Sequence, residues 1–326
     1  MPRNLLVNSN FEVWQRGSSF SSASSAVHTA DRWKLFRSNM VTGATVSRAG
    51  SIALPGSFYA AIVKRSSGDS LTNKISFSQT IPENIYKMQG KLLVLSFWAK
   101  RGTTFSSAGN ILTVTVGYWD DFGVAIESGV GTVIFSTDVT LTTSFQRFII
   151  QVPVIPSDAY SLYVEFNYIP TGTAANSDLF QLTQVQIEEG PYFTQYEYKS
   201  YEQELLDCQY YCETSAARGS SPTGSASAIG NRYAVVADTT NNLGYYVSFK
   251  VKKTWPTVSE ARVTLIDTLG NVGKVTAYTL AGTTITNVTA TVSNLSENGF
   301  LVTTSGTACI GYRFHYIADF ESYYQA

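Results

Sequence analysis

Short apolar runs, mostly β-branched and bounded by Gly, Ser or Asn, recur along the whole chain and set its class as all-β. In the first half the pattern predicts strands over 91–100 (KLLVLSFWAK), 111–119 (ILTVTVGYW), 132–135, 145–154 and 161–168. The run from Lys91 is almost continuously apolar, as a central strand covered on both faces requires. From Ile111 the pattern alternates. Leu112, Val114, Val116 and Tyr118 share one face, while Thr113, Thr115 and Trp119 take the other. Leu162, Val164 and Phe166 alternate in the same way with Tyr163, Glu165 and Asn167. Two stacked antiparallel sheets satisfy both patterns.

The period changes at 200–214 (SYEQELLDCQYYCET). Ser200 and Gln203 stand at capping-box spacing, and Glu202, Glu204 and Asp207 crowd the early turns, where the helix dipole favours negative charge. Tyr201, Leu205, Cys208 and Cys212 then form one apolar stripe, which predicts a helix carried through to Cys212. A small, polar, breaker-rich stretch at 218–230 (RGSSPTGSASAIG) reads as a linker. Strands resume at 245–252, 261–266, 275–280, 284–292, 300–304 and 308–317, separated by turn signals that include Gly270-Asn271 and Asn298-Gly299. The expected organisation is two β-sandwich (jelly-roll) domains, 1–198 and 218–326, joined by a connecting helix segment at 199–217 and the Ser/Gly-rich linker.

Composition narrows the function. Charged residues are 14% of the 326, against roughly 25% in ordinary globular chains, so Ser, Thr, Asn, Gln and Tyr must build much of the surface. Lys plus Arg number 23 against 24 acids, with no long run of either sign, which argues against nucleic acid as a partner. Three cysteines, Cys208, Cys212 and Cys309, cannot supply a disulfide framework. The opening MPRNLLV lacks a signal-peptide core and no 18-residue apolar stretch follows. Cytoplasmic synthesis without membrane insertion is the expectation.

Little in the sequence points to catalysis. The two histidines, His28 and His315, lie in no motif, and His315 alternates out of the Tyr312, Phe314, Tyr316 face toward solvent or an interface. Hydrolase, zinc-protease and nucleotide-binding signatures are missing from the sequence. Asp120-Asp121 and Glu188-Glu189 are adjacent acid pairs, but neighbours on a strand point to opposite faces and form no dyad by themselves. What remains is binding by aromatic surface. Trp119 is expected to emerge on the polar face of its strand beside Asp120 and Asp121, with Tyr163, Glu165 and Asn167 on the polar face of another. A ring flanked by carboxylates and amides suits a sugar, whose C–H face stacks while its hydroxyls hydrogen-bond. Tyr246, Lys252 and Trp255 form a comparable outward set in the second half.

Several segments carry a resemblance. Residues 4–17 (NLLVNSNFEVWQRG), followed by Ala30-Asp31-Arg32-Trp33, resemble the opening of tailed-bacteriophage tail fibre and receptor-binding proteins whose first domain is similar to a carbohydrate-binding-module jelly roll. The likeness continues at 96–100 (SFWAK), 185–190 (VQIEEG) and 204–211 (ELLDCQYY), and 316–321 (YIADFE) looks like the last strand of a C-terminal tip domain. The resemblance implies a virion protein made in the host cytoplasm and exposed outside, commonly a homotrimer, joined to other tail proteins. It would attach without catalysis to bacterial surface polysaccharide or lipopolysaccharide. It also implies that Trp14, Trp33 and Trp98 hold the first sandwich together, that no cofactor is required, and that a structural calcium could sit at Asn10, Glu12 and Glu188. The rival expectations are a polysaccharide depolymerase using Asp121 or Glu165, and a purely structural virion component.

Overall fold

The computed structural model describes residues 4–22, 26–82, 84–120, 131–216, 220, 231–235, 243–253, 262–279, 281–304 and 309–321. They fall into two compact units, 4–14 with 18–204, and 15–17 with 205–321.

The first unit contains strands β1 (Ser19–Ser21), β2 (Val27–His28), β3 (Lys34–Arg37), β4 (Ala44–Leu54), β5 (Ser57–Arg65), β6 (Ile75–Ile81), β7 (Leu93–Arg101), β8 (Ile111–Trp119), β9 (Thr132–Thr140), β10 (Gln146–Val152), β11 (Ser161–Tyr168) and β12 (Leu179–Glu189). Two six-stranded antiparallel sheets result, in the orders β1-β4-β5-β12-β7-β10 and β2-β3-β6-β11-β8-β9. The alternating apolar residues of both sheets fill one core, in which the Trp33 and Phe77 rings stack at 5.0 Å and Phe97 meets Phe166 edge-on at 4.9 Å. Strands β8 and β11 span the ranges the alternation predicts, and β9 runs five residues further. Trp14 and Trp33 lie in this core. Trp98 does not: it shares its face of β7 with Val94 and Ser96, away from Phe97 and Ala99.

One end of this sandwich is held by a buried charge network. Arg65 Nε donates to Asp69 Oδ2 at 2.8 Å, its NH1 lies 3.4 Å from Asp178 Oδ2, and its NH2 donates to the carbonyls of Leu71 and Gly172. Arg37 NH1 pairs with Asp69 at 2.7 Å. Burial would raise the Asp69 carboxyl, but hydrogen bonds from Arg65 and Arg37 outweigh it and hold the group below the usual carboxylate value.

The second unit contains most of α1 (Tyr201–Gln209), then β13 (Cys212–Thr214), β14 (Arg232–Val235), β15 (Leu243–Ser248), β16 (Val263–Ile266), β17 (Lys274–Tyr278), β18 (Thr284–Thr289), β19 (Thr291–Ser296), β20 (Gly299–Thr304) and β21 (Gly311–Asp319). The long strand β21 pairs with β13, β14, β16 and β17, and a separate three-stranded sheet runs β15-β20-β19. Val247, Phe300 and Val302 of the smaller sheet pack with Val275, Tyr312 and Phe314 of the larger in one core. The predicted strand 284–292 is two strands that part at Ala290.

Two expectations are corrected here. The helix begins as its cap predicts, with Gln203 N–H donating to Ser200 Oγ at 3.2 Å, but it ends at Gln209. Cys212 belongs to β13, because pairing with Asp319 satisfies its backbone in the sheet. His315 does not face solvent: it is 3% exposed, with Nδ1 3.0 Å from Ser215 Oγ, which covers it on the otherwise half-buried face of β21.

Just past the helix, Lys253 Nζ is wholly buried and spends its three N–H donors on the carbonyls of Gln209 and Val251 and on Glu213 Oε2, the last at 2.7 Å. Glu213 also accepts from the Lys250 N–H and, at 2.6 Å, from the Tyr316 hydroxyl. Burial pulls the Lys253 pKa below the usual lysine value, against the attraction of Glu213.

A third polar device shapes the turn after β16. The buried Asp267 carboxylate accepts from the backbone N–H groups of Leu269, Asn271 and Asn287 and from the Asn271 amide. Burial opposes ionisation, but these donors together hold its pKa below the ordinary value. A depressed carboxyl contributes stability above its unfolded pKa and loses it as pH falls through the folded value. Asp267→Asn should therefore cost about 1–3 kcal/mol at pH 7. Urea melts taken downward from pH 7 should show the gap between wild type and variant closing below about pH 4.

One short described stretch, 15–17, crosses the sequence order of the units. Gln15 Nε2 donates to the Cys212 carbonyl at 2.7 Å, and Arg16 pairs with Asp319 at 3.1 Å and with the buried Glu321 at 3.0 Å, all within the second unit. Within the first unit, the Asn8 N–H donates to Glu204.

Candidate functional site

A concavity forms on the face of the β8–β11 pair that points away from the core. Antiparallel register sets Tyr163 opposite Gly117, Glu165 opposite Thr115 and Asn167 opposite Thr113, so the polar alternates of two separate strands share one face. Gly117 is what admits the Tyr163 ring: a Cβ there would lie 2.4 Å from it. A Cβ at Gly131 would come within 2.7 Å of the same ring and 3.0 Å of the Trp119 indole. With both side chains absent, the Trp119 and Tyr163 rings pack at 4.7 Å and 45°. The ladder between β8 and β9 shifts register at this point, between Val116 and Gly117.

Lys74, Thr115, Trp119, Gly131, Val133, Tyr163, Glu165 and Asn167 enclose a cleft of about 250 Å³. That lies just under the roughly 300–1,000 Å³ of small-molecule pockets and suits one small ring compound. Lys74 Nζ donates to Glu165 Oε1 at 2.9 Å, and Asn167 Nδ2 donates to Oε2 at 3.2 Å. The Thr115 hydroxyl lies 3.0 Å from that of Ser136. Burial, reinforced by the Glu165 charge, pushes the Tyr163 phenol up to about 12, so near neutral pH it is an O–H donor. The buried Trp119 Nε1–H meets no acceptor.

Four of the residues singled out in the sequence, Trp119, Tyr163, Glu165 and Asn167, therefore line one cleft. Trp119 does not project outward as expected. It is 4% exposed, because Tyr163 and the open position at Gly131 give its ring a place to lie down against the sheet. Asp120 is exposed at the strand end and outside the lining, and Asp121 lies outside the described residues. Lys74, Gly131 and Val133 carry no signal in the sequence; each precedes or opens a strand whose partner is known only from the sheet order.

The second set is elsewhere. Tyr246 is half exposed with its hydroxyl 3.4 Å from Ser296 Oγ, and Lys252 pairs with Glu297 at 2.6 Å, both at the β19–β20 turn of the second unit. Trp255 lies outside the described residues.

The calcium expectation does not fit its residues. Glu188 is fully buried and accepts from the Thr194 N–H at 2.7 Å, the Thr194 hydroxyl at 2.6 Å and the Gln186 amide at 3.0 Å, so both oxygens already answer protein donors. Asn10 Oδ1 is buried without a partner and Glu12 is half-buried. Among the described residues no three His, Cys, Asp or Glu side chains gather as a metal site would require.

Among the described residues the cleft lining holds one carboxylate, Glu165, clamped between an ammonium and an amide. The arrangement offers ring surface and hydrogen bonds rather than an acid and base facing each other across a bond.

No family model and no curated protein matches this sequence. Solved structures give distant likenesses. The enzymatically active domain of tailspike protein 4 from bacteriophage CBA120 is 15% identical over 57% of this chain and 21% of its own, at a TM-score of 0.38. A CBM4 structure is 20% identical over 56% of this chain and 98% of its own, at 0.36. TmCBM61 bound to β-1,4-galactotriose is 13% identical over 58% and 99%, at 0.33. Scores below 0.5 establish no shared fold, and the functional reading rests on the cleft itself.

Proposed function

We propose that this chain is a non-catalytic glycan-binding protein and that the cleft on the outer face of β8 and β11 is its sugar site. The observation that carries the reading is the pairing of Trp119 and Tyr163 over two glycines beside the Lys74–Glu165–Asn167 cluster. Aromatic rings accept the C–H face of a pyranose, and the flanking donors and acceptors take its hydroxyls. Among the described residues the lining holds one carboxylate, Glu165, held between Lys74 and Asn167, which supports a binding role.

With the motifs at 4–17, 30–33, 96–100 and 185–190, the reading extends to attachment of a phage virion to bacterial surface polysaccharide or lipopolysaccharide. In that role the chain would act as a tail fibre component, trimeric, joined to other tail proteins. Presenting several weak sites together multiplies avidity without new contacts.

The test is a glycan array followed by titration of the full chain with its best ligand. Trp119→Ala should weaken binding at least tenfold, about 1.4 kcal/mol, when titrated below the lowered melting transition that loss of a buried ring brings. Unchanged affinity in Trp119→Ala, or release of reducing ends on incubation with host polysaccharide, would sink the proposal.

A further inference from the structure

Resting on that reading, we infer that the cleft selects an acidic sugar, a pyranose bearing a carboxylate, over its neutral counterpart. Several hydrogen-bond donors in the cleft are unspent. Lys74 gives one of its three N–H donors to Glu165 and keeps two. Tyr163 keeps its hydroxyl hydrogen, and Trp119 has an indole N–H that meets no acceptor. On the acceptor side, Glu165 meets Lys74 through one oxygen and Asn167 through the other, and the Thr115 hydroxyl is engaged with Ser136. Glu165 keeps a free lone-pair site on each oxygen, and among the described lining residues the Asn167 and Tyr163 side-chain oxygens accept no hydrogen bond. Among the unspent donors, those of Lys74 belong to a full cation.

A neutral sugar can hydrogen-bond to these groups, but it brings no charge to the partly exposed Lys74 ammonium. Leaving buried donors unmatched costs more than a matched pair returns. A carboxylate is acceptor-only and places two oxygens where the lining holds N–H and O–H groups. Lys74 supplies the cation: its side chain is 37% exposed at the rim, so it can meet a ligand without leaving Glu165. Glu165 does not repel the newcomer as a bare charge would, because Lys74 and Asn167 already face its two oxygens.

The experiment uses the full chain and two matched probe pairs, methyl glucuronide against methyl glucoside and methyl galacturonide against methyl galactoside, followed by ligand-observed NMR and calorimetry. At least one uronide should bind tenfold or more tighter than its neutral partner. Raising the salt from 0.05 to 0.5 M should shrink that ratio, since the contact with Lys74 is partly exposed to solvent. Lys74→Met should bring the ratio toward unity, and Lys74→Arg, which keeps the charge, should preserve a preference. Neutral glycosides binding as tightly as the uronides, or a uronide preference indifferent to salt and present in Lys74→Met, would overturn the inference and leave the sugar site standing. Failure of all four probes to bind would overturn both.

Discussion

Arg65→Met is expected to destabilise the first unit by about 3–5 kcal/mol, the cost of removing one partner from a buried ion pair and leaving its carboxylates uncompensated. For a unit of this size that corresponds to a fall of roughly 6–20 °C in melting temperature, measurable by calorimetry. The magnitude follows from the lack of alternatives. Both Arg65 and Asp178 are 0% exposed, and the guanidinium also holds the carbonyls of Leu71 and Gly172. Methionine fills the volume but donates nothing, so the carbonyls of Leu71, Thr171 and Gly172 and the Asp178 carboxylate each lose a donor. Arg37 remains on Asp69 and cannot reach both acids, as its other contacts are the Thr42 and Leu71 carbonyls. Arg65→Lys should fall between the two, because an ammonium keeps the charge without the planar fork. The Leu71 carbonyl lies three residues before Lys74, so Arg65→Met should also weaken glycan binding. A melting temperature within 2 °C of wild type would mean that the network is a bystander.

In the second unit the corresponding change is Lys253→Met, again about 3–5 kcal/mol. Its ammonium joins the end of α1, the Val251 carbonyl and Glu213 of β13, and Glu213 in turn holds the Tyr316 hydroxyl of β21. Removing the lysine alone buries an unpaired carboxylate beside Tyr316. Removing both charges, as in Lys253→Met with Glu213→Leu, should recover a large share of the loss, since a well-packed apolar pair is often as stable as the buried ions it replaces. A double-mutant cycle by denaturant titration separates the two effects. Strict additivity of the single changes would show that the pair is not coupled.

How much of the fold and the cleft is legible in the sequence depends on where the information lies. Strands β8 and β11 were readable because each alternates cleanly with a period of two, and that parity also put Trp119, Tyr163, Glu165 and Asn167 on the polar side. Strands β4, β5 and β6 were not singled out: ATVSRAGSIAL and ISFSQTI dilute the period with Ala, Ser and Gly, and their pairing across the sheets supplies the preference that the local pattern lacks. Lys74 was invisible for the same reason, since only the adjacency of β6 and β11 brings it to Glu165. The apolar stripe running to Cys212 misled because residues 212–214 answer to Asp319 and its neighbours, a hundred positions away. Burial of Trp119 followed from absent side chains at Gly117 and Gly131, which no periodicity of large residues reveals.

The crossing of one short stretch between the units has a practical consequence for anyone dissecting the molecule. Arg16, in the stretch 15–17 that splits the first unit, neutralises Glu321, which is 0% exposed, so neither unit is encoded by one uninterrupted segment, and Glu204 at the end of the first receives the Asn8 amide. A single scissor cut anywhere near the helix would strip Glu204 from the front fragment or leave the back fragment without its arginine. Recombinant halves should therefore be less soluble and more protease-sensitive than the parent, and a tethered copy of 4–17 supplied to the C-terminal piece should restore part of its resistance.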